Sequence, residues 1–156
     1  LLQIRELAGM VDFVSVGSND LTQYLLAVDR NNSRVADLYT PYHPSVLRAL
    51  QFIVNECHAV GKPVGICGEM AGDPGTSILL MAMGFDSLSM SASNLLKIRK
   101  VVRSVPMETS RRLLAQALGV DNAAVIRSMV ELELNNLGLW DIVRPTQRPV
   151  GGRLPS

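Results

Sequence analysis

No apolar run in this 156-residue chain approaches the roughly 20 residues that a membrane-spanning helix needs. The longest, such as residues 77–83, are far too short. That excludes a helical membrane protein. An excess of charge is missing too: 15 Lys and Arg stand against 14 Asp and Glu, a net charge of +1. There is no basic surface for a nucleic-acid backbone and no acidic tail, so neither nucleic acid nor membrane is an expected partner. Cysteine is scarce. Cys57 and Cys67 alone make no disulfide framework, and a reducing cytoplasm is the expected compartment. Also lacking are an initiator Met, a signal-peptide pattern, an internal repeat and a low-complexity segment. The chain opens Leu1-Leu2-Gln3-Ile4-Arg5-Glu6-Leu7, which reads as the last turns of a helix entered midway, so a piece of a longer protein is expected. What is present is apolar content. With 47% hydrophobic and 19% charged residues, the chain can build a packed core and is not a disordered segment. Its length suits one domain.

Periodicity then sets the order of elements. Val11-Asp12-Phe13-Val14-Ser15-Val16 is a short β-branched run ending at Gly17, of the kind that suits a sheet covered on both faces. Asn19 and Asp20 stand where a helix is capped, ahead of Leu21-Thr22-Gln23-Tyr24-Leu25-Leu26-Ala27. Residues 29–40 are polar and turn-prone. Pro44 opens a second helix, with Val46, Leu47, Leu50, Ile53, Val54 and Cys57 at helical spacing, and Gly61 stops it. Val64-Gly65-Ile66-Cys67 is a second strand, followed by a helix over about residues 76–83. Ser87-Leu88-Ser89-Met90 is a third strand, and residues 92–102 a third crossover helix. Beyond Pro106 two helices follow, one carrying Leu113, Leu114, Ala117 and Leu118, the next Val125, Ile126, Met129, Val130 and Leu134. Strand and helix alternating three times predicts an α/β fold with a parallel sheet. The polar motifs fall after the strands' carboxyl ends, where such folds bind ligands.

Two constellations have chemical potential. Gly17-Ser18-Asn19-Asp20-Leu21-Thr22-Gln23 puts an amide and a carboxylate at a strand's end. Oxygen donors of this kind suit Mg²⁺ and can orient a phosphate; helix capping explains the same residues. Arg30 has the fork geometry to clamp an oxyanion, and equally suits a surface ion pair. Cys67-Gly68-Glu69-Met70-Ala71-Gly72-Asp73 places a thiol before two glycines that let backbone approach a ligand. An acid, base or nucleophile fits there, and so does a structural Cys, the reading that fits Cys57. His43 and His58 lack metal-ligand spacing. Phosphate-loop, Cys-x-x-Cys and Gly-x-Ser-x-Gly motifs are absent.

Three ordered stretches carry a family resemblance. They are Val14-Ser15-Val16-Gly17-Ser18-Asn19-Asp20-Leu21-Thr22-Gln23-Tyr24, Ala27-Val28-Asp29-Arg30 and Cys67-Gly68-Glu69-Met70-Ala71-Gly72-Asp73-Pro74, with Leu88-Ser89-Met90-Ser91 as a weaker fourth. Together they resemble the phosphoenolpyruvate-utilising enzymes, and within them the Enzyme I type of bacterial phosphotransferase systems. Asp29-Arg30-Asn31-Asn32 leans towards the nitrogen-regulatory rather than the sugar-transport branch. The resemblance is strong over about residues 7–103 and looser to about 136.

The resemblance implies a TIM (β/α)₈ barrel that binds phosphoenolpyruvate and Mg²⁺ at its carboxyl face. A histidine on a separate N-terminal domain would receive the phosphoryl group and pass it to a histidine-containing phosphocarrier protein. Asp20 would match a Mg²⁺ ligand, Asn19 a phosphate contact, Arg30 the phosphate-binding Arg, and Cys67 the acid that protonates the enolate to give pyruvate. An ordinary thiol titrates at about 8.5 and is mostly protonated at neutral pH, so the last role is chemically reasonable. A barrel of this type needs about 250 residues. Residues 1–136 are therefore expected to be its last three β/α units plus C-terminal helices, an incomplete barrel, with residues 137–156 a tail frayed from 144 onward. The acceptor histidine, a second metal carboxylate and two further arginines would lie upstream, so the chain alone is expected to be inactive. An open first-strand edge and an apolar inner face would favour a homodimer or higher oligomer. The competing readings are a fragment of phosphoenolpyruvate synthase or pyruvate phosphate dikinase, and a non-catalytic oligomerisation module.

Overall fold

The computed structural model describes residues 1–32, 34, 35 and 38–143; the tail expected to fray from residue 144 lies outside them. Helix α1 (Ile4–Gly9) leads into strand β1 (Val14–Gly17) and, without a loop, into α2 (Ser18–Leu26). Then come α3 (Pro44–Ala59), β2 (Val64–Cys67), a short α4 (Glu69–Gly72), α5 (Pro74–Met83), β3 (Ser87–Ser89) and α6 (Ala92–Ser104). Helices α7 (Met107–Leu118), α8 (Ala123–Asn136) and α9 (Trp140–Val143) close the described chain. The three strands form one parallel sheet in the order β1-β2-β3, as the alternation predicts.

The first strand is shorter than its apolar run. Pairing begins where Val14 N–H donates to the Pro63 carbonyl (3.0 Å), opposite the start of β2, and a bend at residues 11–12 precedes it. A partner strand bounded by Pro63 and Gly68 limits what β1 can pair with, whatever its own propensity. Helix α2 also starts earlier than expected. Gly17 is its N-cap and offers no side chain, so Asn19 and Asp20 lie inside the first turn rather than capping it. A carboxylate there faces the positive end of the helix dipole.

Register divides the sheet into two unlike faces. Val14 and Val16 align with Val64 and Ile66, and Ile66 with Leu88; this face packs on the helices, with Val16, Val64 and Ile66 buried. The opposite face carries Ser15, Gly65, Cys67, Ser87 and Ser89, all exposed except the partly covered Gly65. The sheet is therefore covered on one face, not two, and the open face is small and polar rather than apolar. Strand side chains alternate, and the serines and glycine of each strand fall on the same parity.

The core lies between the Val/Ile face and the helices. Leu47, Leu50, Val54 and Cys57 of α3, Ile78, Leu79 and Leu80 of α5, Leu113 of α7, and Ile126, Val130 and Leu134 of α8 belong to one cluster. Helices α7 and α8 are thus part of the same body as the sheet. Helix α5 starts where the Asp73 carboxylate accepts from Thr76 N–H (2.8 Å), from the Thr76 hydroxyl (3.1 Å) and from Tyr42 Oη (3.1 Å). It ends at Gly84, in the left-handed conformation at φ +98. Arg48 donates to the Leu118 carbonyl and pairs with Asp121, tying α3 to the turn between α7 and α8.

At the amino ends of the strands, Asp86 Oδ2 accepts from Val64 N–H (2.8 Å) and contacts His58 Nε2 (3.0 Å). The Val64 N–H and then His58 hold the Asp86 carboxyl below its ordinary range. A carboxyl with a lowered folded pKa adds stability above its unfolded value of about 3.9 and loses that contribution as pH falls through the folded value. Asp86→Asn should therefore lower the thermal midpoint at pH 6, with the gap to wild type closing as pH is taken below about 4. A gap of constant size down to pH 2 would show that the charge plays no part.

Candidate functional site

The carboxyl ends of the strands carry the polar groups. Gly17 aligns with Cys67, and Cys67 with Ser89, so the thiol sits mid-sheet on the open face. Immediately after it the backbone turns at Gly68 with φ +109 and ψ −166, a region only glycine occupies readily. That turn swings the chain into α4, a four-residue helix in a stretch from which the sequence suggests no helix. Four residues are too few to show a period.

A cleft of about 420 Å³ opens here, lined by Asn19, Cys67, Gly68, Glu69, Ser89, Met90, Ser91 and Asn94. The ends of β2 and β3 and the first turn of α2 contribute to it. Gly72 lets it form at one wall, since a Cβ there would lie 2.6 Å from Asn94 Nδ2. Gly68 does the same at the floor: a Cβ would lie 2.4 Å from Ser18 Oγ and 3.4 Å from Asn19 Oδ1. Ser18 Oγ is buried and has no hydrogen-bond partner among the described residues.

The structure brings Asn19 and Cys67 into one cleft. Arg30 joins its rim indirectly: Nη1 lies 2.9 Å from Glu69 Oε1, and its backbone N–H donates to Gln23 Oε1 (3.1 Å). Its guanidinium is thus engaged by a carboxylate, the partner an anionic ligand would have to displace. Asp20, the next residue along α2, is not among those lining this cleft. It lines a neighbouring hollow of about 450 Å³ together with Gln23, Tyr24, Ala27, Val28 and Asp29. Among the described residues no three His, Cys, Asp or Glu side chains converge on a point. A single exposed carboxylate fits one corner of a Mg²⁺ shell, which usually takes one or two protein carboxylates and fills the rest with water and phosphate oxygens.

The residue that sequence reasoning leaves out is Tyr39. Its hydroxyl donates to Asn19 Oδ1 at 3.1 Å. Partial burial, and then the Glu69 carboxylate, push the phenol pKa up, with Arg30 opposing. Tyr39 lies in a polar stretch without periodicity, and an aromatic just before Thr40-Pro41 was the only available signal. The histidines and the other cysteine have structural work, as expected. His43 Nδ1 caps α3 by accepting from Ser45 N–H (3.2 Å), His58 pairs with Asp86, and Cys57 is buried with its thiol pKa raised by burial, then by Asp86 and Glu56.

The sequence that forms this arrangement matches known proteins. The family described as PEP-utilising enzyme, PEP-binding domain, matches residues 1–107. A Salmonella typhimurium protein named phosphoenolpyruvate-dependent phosphotransferase system is 38% identical over 144 residues, 92% of this chain and 19% of its own length. The phosphoenolpyruvate-protein phosphotransferase of Haemophilus influenzae is 46% identical over 125 residues, 80% of this chain and 22% of its own. That of Buchnera aphidicola subsp. Baizongia pistaciae is 49% identical over 114 residues, 73% and 20% respectively. The chain spans about a fifth of the length of these relatives. With the family's match covering more than half of its residues, including all three strands and the cleft between them, the chain belongs to the PEP-utilising enzymes, as part of their PEP-binding domain.

Proposed function

We propose that the cleft at the strand ends is part of the phosphoenolpyruvate site of an Enzyme I-type phosphoenolpyruvate–protein phosphotransferase. The observation that carries this is the meeting of Asn19 and Cys67 in one cleft, with Arg30 held at its rim by Glu69. In this reading Asn19 donates N–H to a phosphoryl oxygen, and Arg30 exchanges Glu69 for the phosphate with paired hydrogen bonds. Both groups act on charge that grows as the P–O bond to the enolate breaks. The Cys67 thiol then gives its proton to the enolate carbon: the S–H bond breaks, a C–H bond forms, and pyruvate leaves a thiolate behind. Asp20 would hold Mg²⁺, which when bound neutralises phosphoryl charge. The phosphoryl group goes to a histidine outside this chain and on to a histidine-containing phosphocarrier protein, in the cytoplasm. No helix among the described residues is long and apolar enough to cross a membrane, which is compatible with that location.

Residues 1–136 are read as the last three β/α units of a (β/α)₈ barrel with its C-terminal helices, since three parallel strands with two free edges need about five more to close. Calorimetric titration of Mg²⁺-phosphoenolpyruvate tests the whole reading. We expect heat from the chain extended upstream by the missing strands and none from residues 1–156 alone. Silence from both proteins would overturn the site and favour a non-catalytic module; pyruvate release by the chain alone would overturn its incompleteness.

Self-association belongs to the same reading. Met10 (82% exposed), Phe13 (66%) and Leu7 (55%) lie in the segment leading into β1, and Leu96 (77%) and Leu95 (54%) on α6, the helix that follows β3. Such side chains, together with an open sheet, favour a homodimer. Light scattering at micromolar concentration should give at least twice the monomer mass of 17.0 kDa; a monodisperse monomer would refute it.

A further inference from the structure

We propose that Tyr39 is a positioning residue whose hydroxyl anchors the Oδ1 end of the Asn19 amide and so leaves its NH₂ end to donate to a ligand in the cleft. This rests on the phosphoenolpyruvate reading above and extends it to a residue outside the family motifs. A carboxamide has nearly the same shape either way round, and only its partners decide which end points where. At Asn19 the Oδ1 end is taken by the Tyr39 hydroxyl (3.1 Å), while the side chain packs over the Cα of Gly68. An anionic ligand brings acceptors only. Presented with Nδ2 it gains a hydrogen bond; presented with Oδ1 it meets a lone pair.

Tyr39 is itself held. The Tyr42 N–H donates to Thr40 Oγ1 (3.3 Å), and Tyr42, buried to 5% exposure, donates from Oη to Asp73, the cap of α5. The segment from Tyr39 to His43 is thereby fastened to the start of a core helix. Partial burial, then the Glu69 carboxylate and, least, that of Asp20 favour the protonated Tyr39 phenol, so the O–H remains available as a donor. Arg30, and then a hydrogen bond with the Thr22 side chain, act on the phenol in the opposite direction.

Tyr39→Phe removes one oxygen and keeps the ring. In the full-length protein we expect the Kd for Mg²⁺-phosphoenolpyruvate and the KM to rise roughly fivefold, the scale of one neutral hydrogen bond, with kcat altered less than about twofold. The thermal midpoint should stay close to wild type. In an Asn19→Ala background the same change should add nothing, because the group it positions is gone. Unchanged affinity in Tyr39→Phe, or an equal loss in both backgrounds, would overturn the proposal. A wild-type protein that binds no Mg²⁺-phosphoenolpyruvate would instead refute the substrate reading. The Tyr39–Asn19 link is then decided by NMR of the 156-residue chain. The Asn19 side-chain amide protons, identified by their loss in Asn19→Asp, should shift and exchange faster with water in Tyr39→Phe. Identical resonances would sink the link.

Discussion

Cys67→Ala in the full-length protein is expected to cut pyruvate formation from phosphoenolpyruvate by a factor of about a hundred to ten thousand, the usual worth of a positioned general acid. Binding of Mg²⁺-phosphoenolpyruvate should change far less, because the thiol acts on the enolate carbon after the phosphoryl group has left. Its position supports the assignment. Cys67 ends β2 on the open face, between Gly17 and Ser89 in register, and lines the cleft with Asn19. Cys67→Ser makes the test sharper: a hydroxyl has nearly the shape of the thiol but is a much weaker acid, so it should restore binding geometry and little turnover. Cys57→Ala is the control. That thiol is buried in the core, and its loss should lower stability without touching the chemical step. Full activity in Cys67→Ala would remove the thiol from the reaction and leave the cleft as a binding surface only.

Gly68→Ala should destabilise the chain by about 2–5 kcal/mol, measured as a shift in the urea midpoint. Two effects add. The backbone at φ +109 and ψ −166 is costly for any residue with a Cβ, and the new methyl would sit 2.4 Å from Ser18 Oγ, on a fully buried residue. Relief is limited because Ser18 is locked in the first turn of α2, its carbonyl accepting from Thr22 Oγ1 at 2.8 Å. Ser18→Gly combined with Gly68→Ala removes the clash but not the backbone strain, so it should recover only part of the loss. An unchanged urea midpoint in Gly68→Ala would mean that the turn relaxes freely. That would also weaken the case that Gly68 holds Cys67 and Glu69 in a defined geometry.

Much of this architecture was visible along the chain. The spacing of Val46, Leu47, Leu50, Ile53, Val54 and Cys57 announces α3, and all six are buried. Val64 to Cys67 is a strand as read, and the three strands pair in parallel. The two faces of the sheet were also written in the sequence, in the alternations Val14-Ser15-Val16, Val64-Gly65-Ile66 and Ser87-Leu88-Ser89. Residues 11–16 taken as one continuous apolar run predict a sheet covered on both faces, whereas the alternation within them matches the single covered face.

Local pattern alone therefore determined the order of elements, the buried face of each long helix, and the placing of Asn19 just after one strand and Cys67 at the end of another. Those features depend on neighbours a few residues apart, whose side chains share a face by helical or strand geometry. The tertiary structure decided the rest: that Arg30 is held by Glu69 39 positions away, that Tyr39 reaches Asn19 across 20, and that Asp20 lines a neighbouring hollow. It also decided that Gly68 and Ser18 lie against each other at the floor of the cleft. Such contacts follow from the path the backbone takes once the helices pack on the sheet. Periodicity carries no record of that path, because a residue's partner at long range is set by the packing of whole elements rather than by its own type.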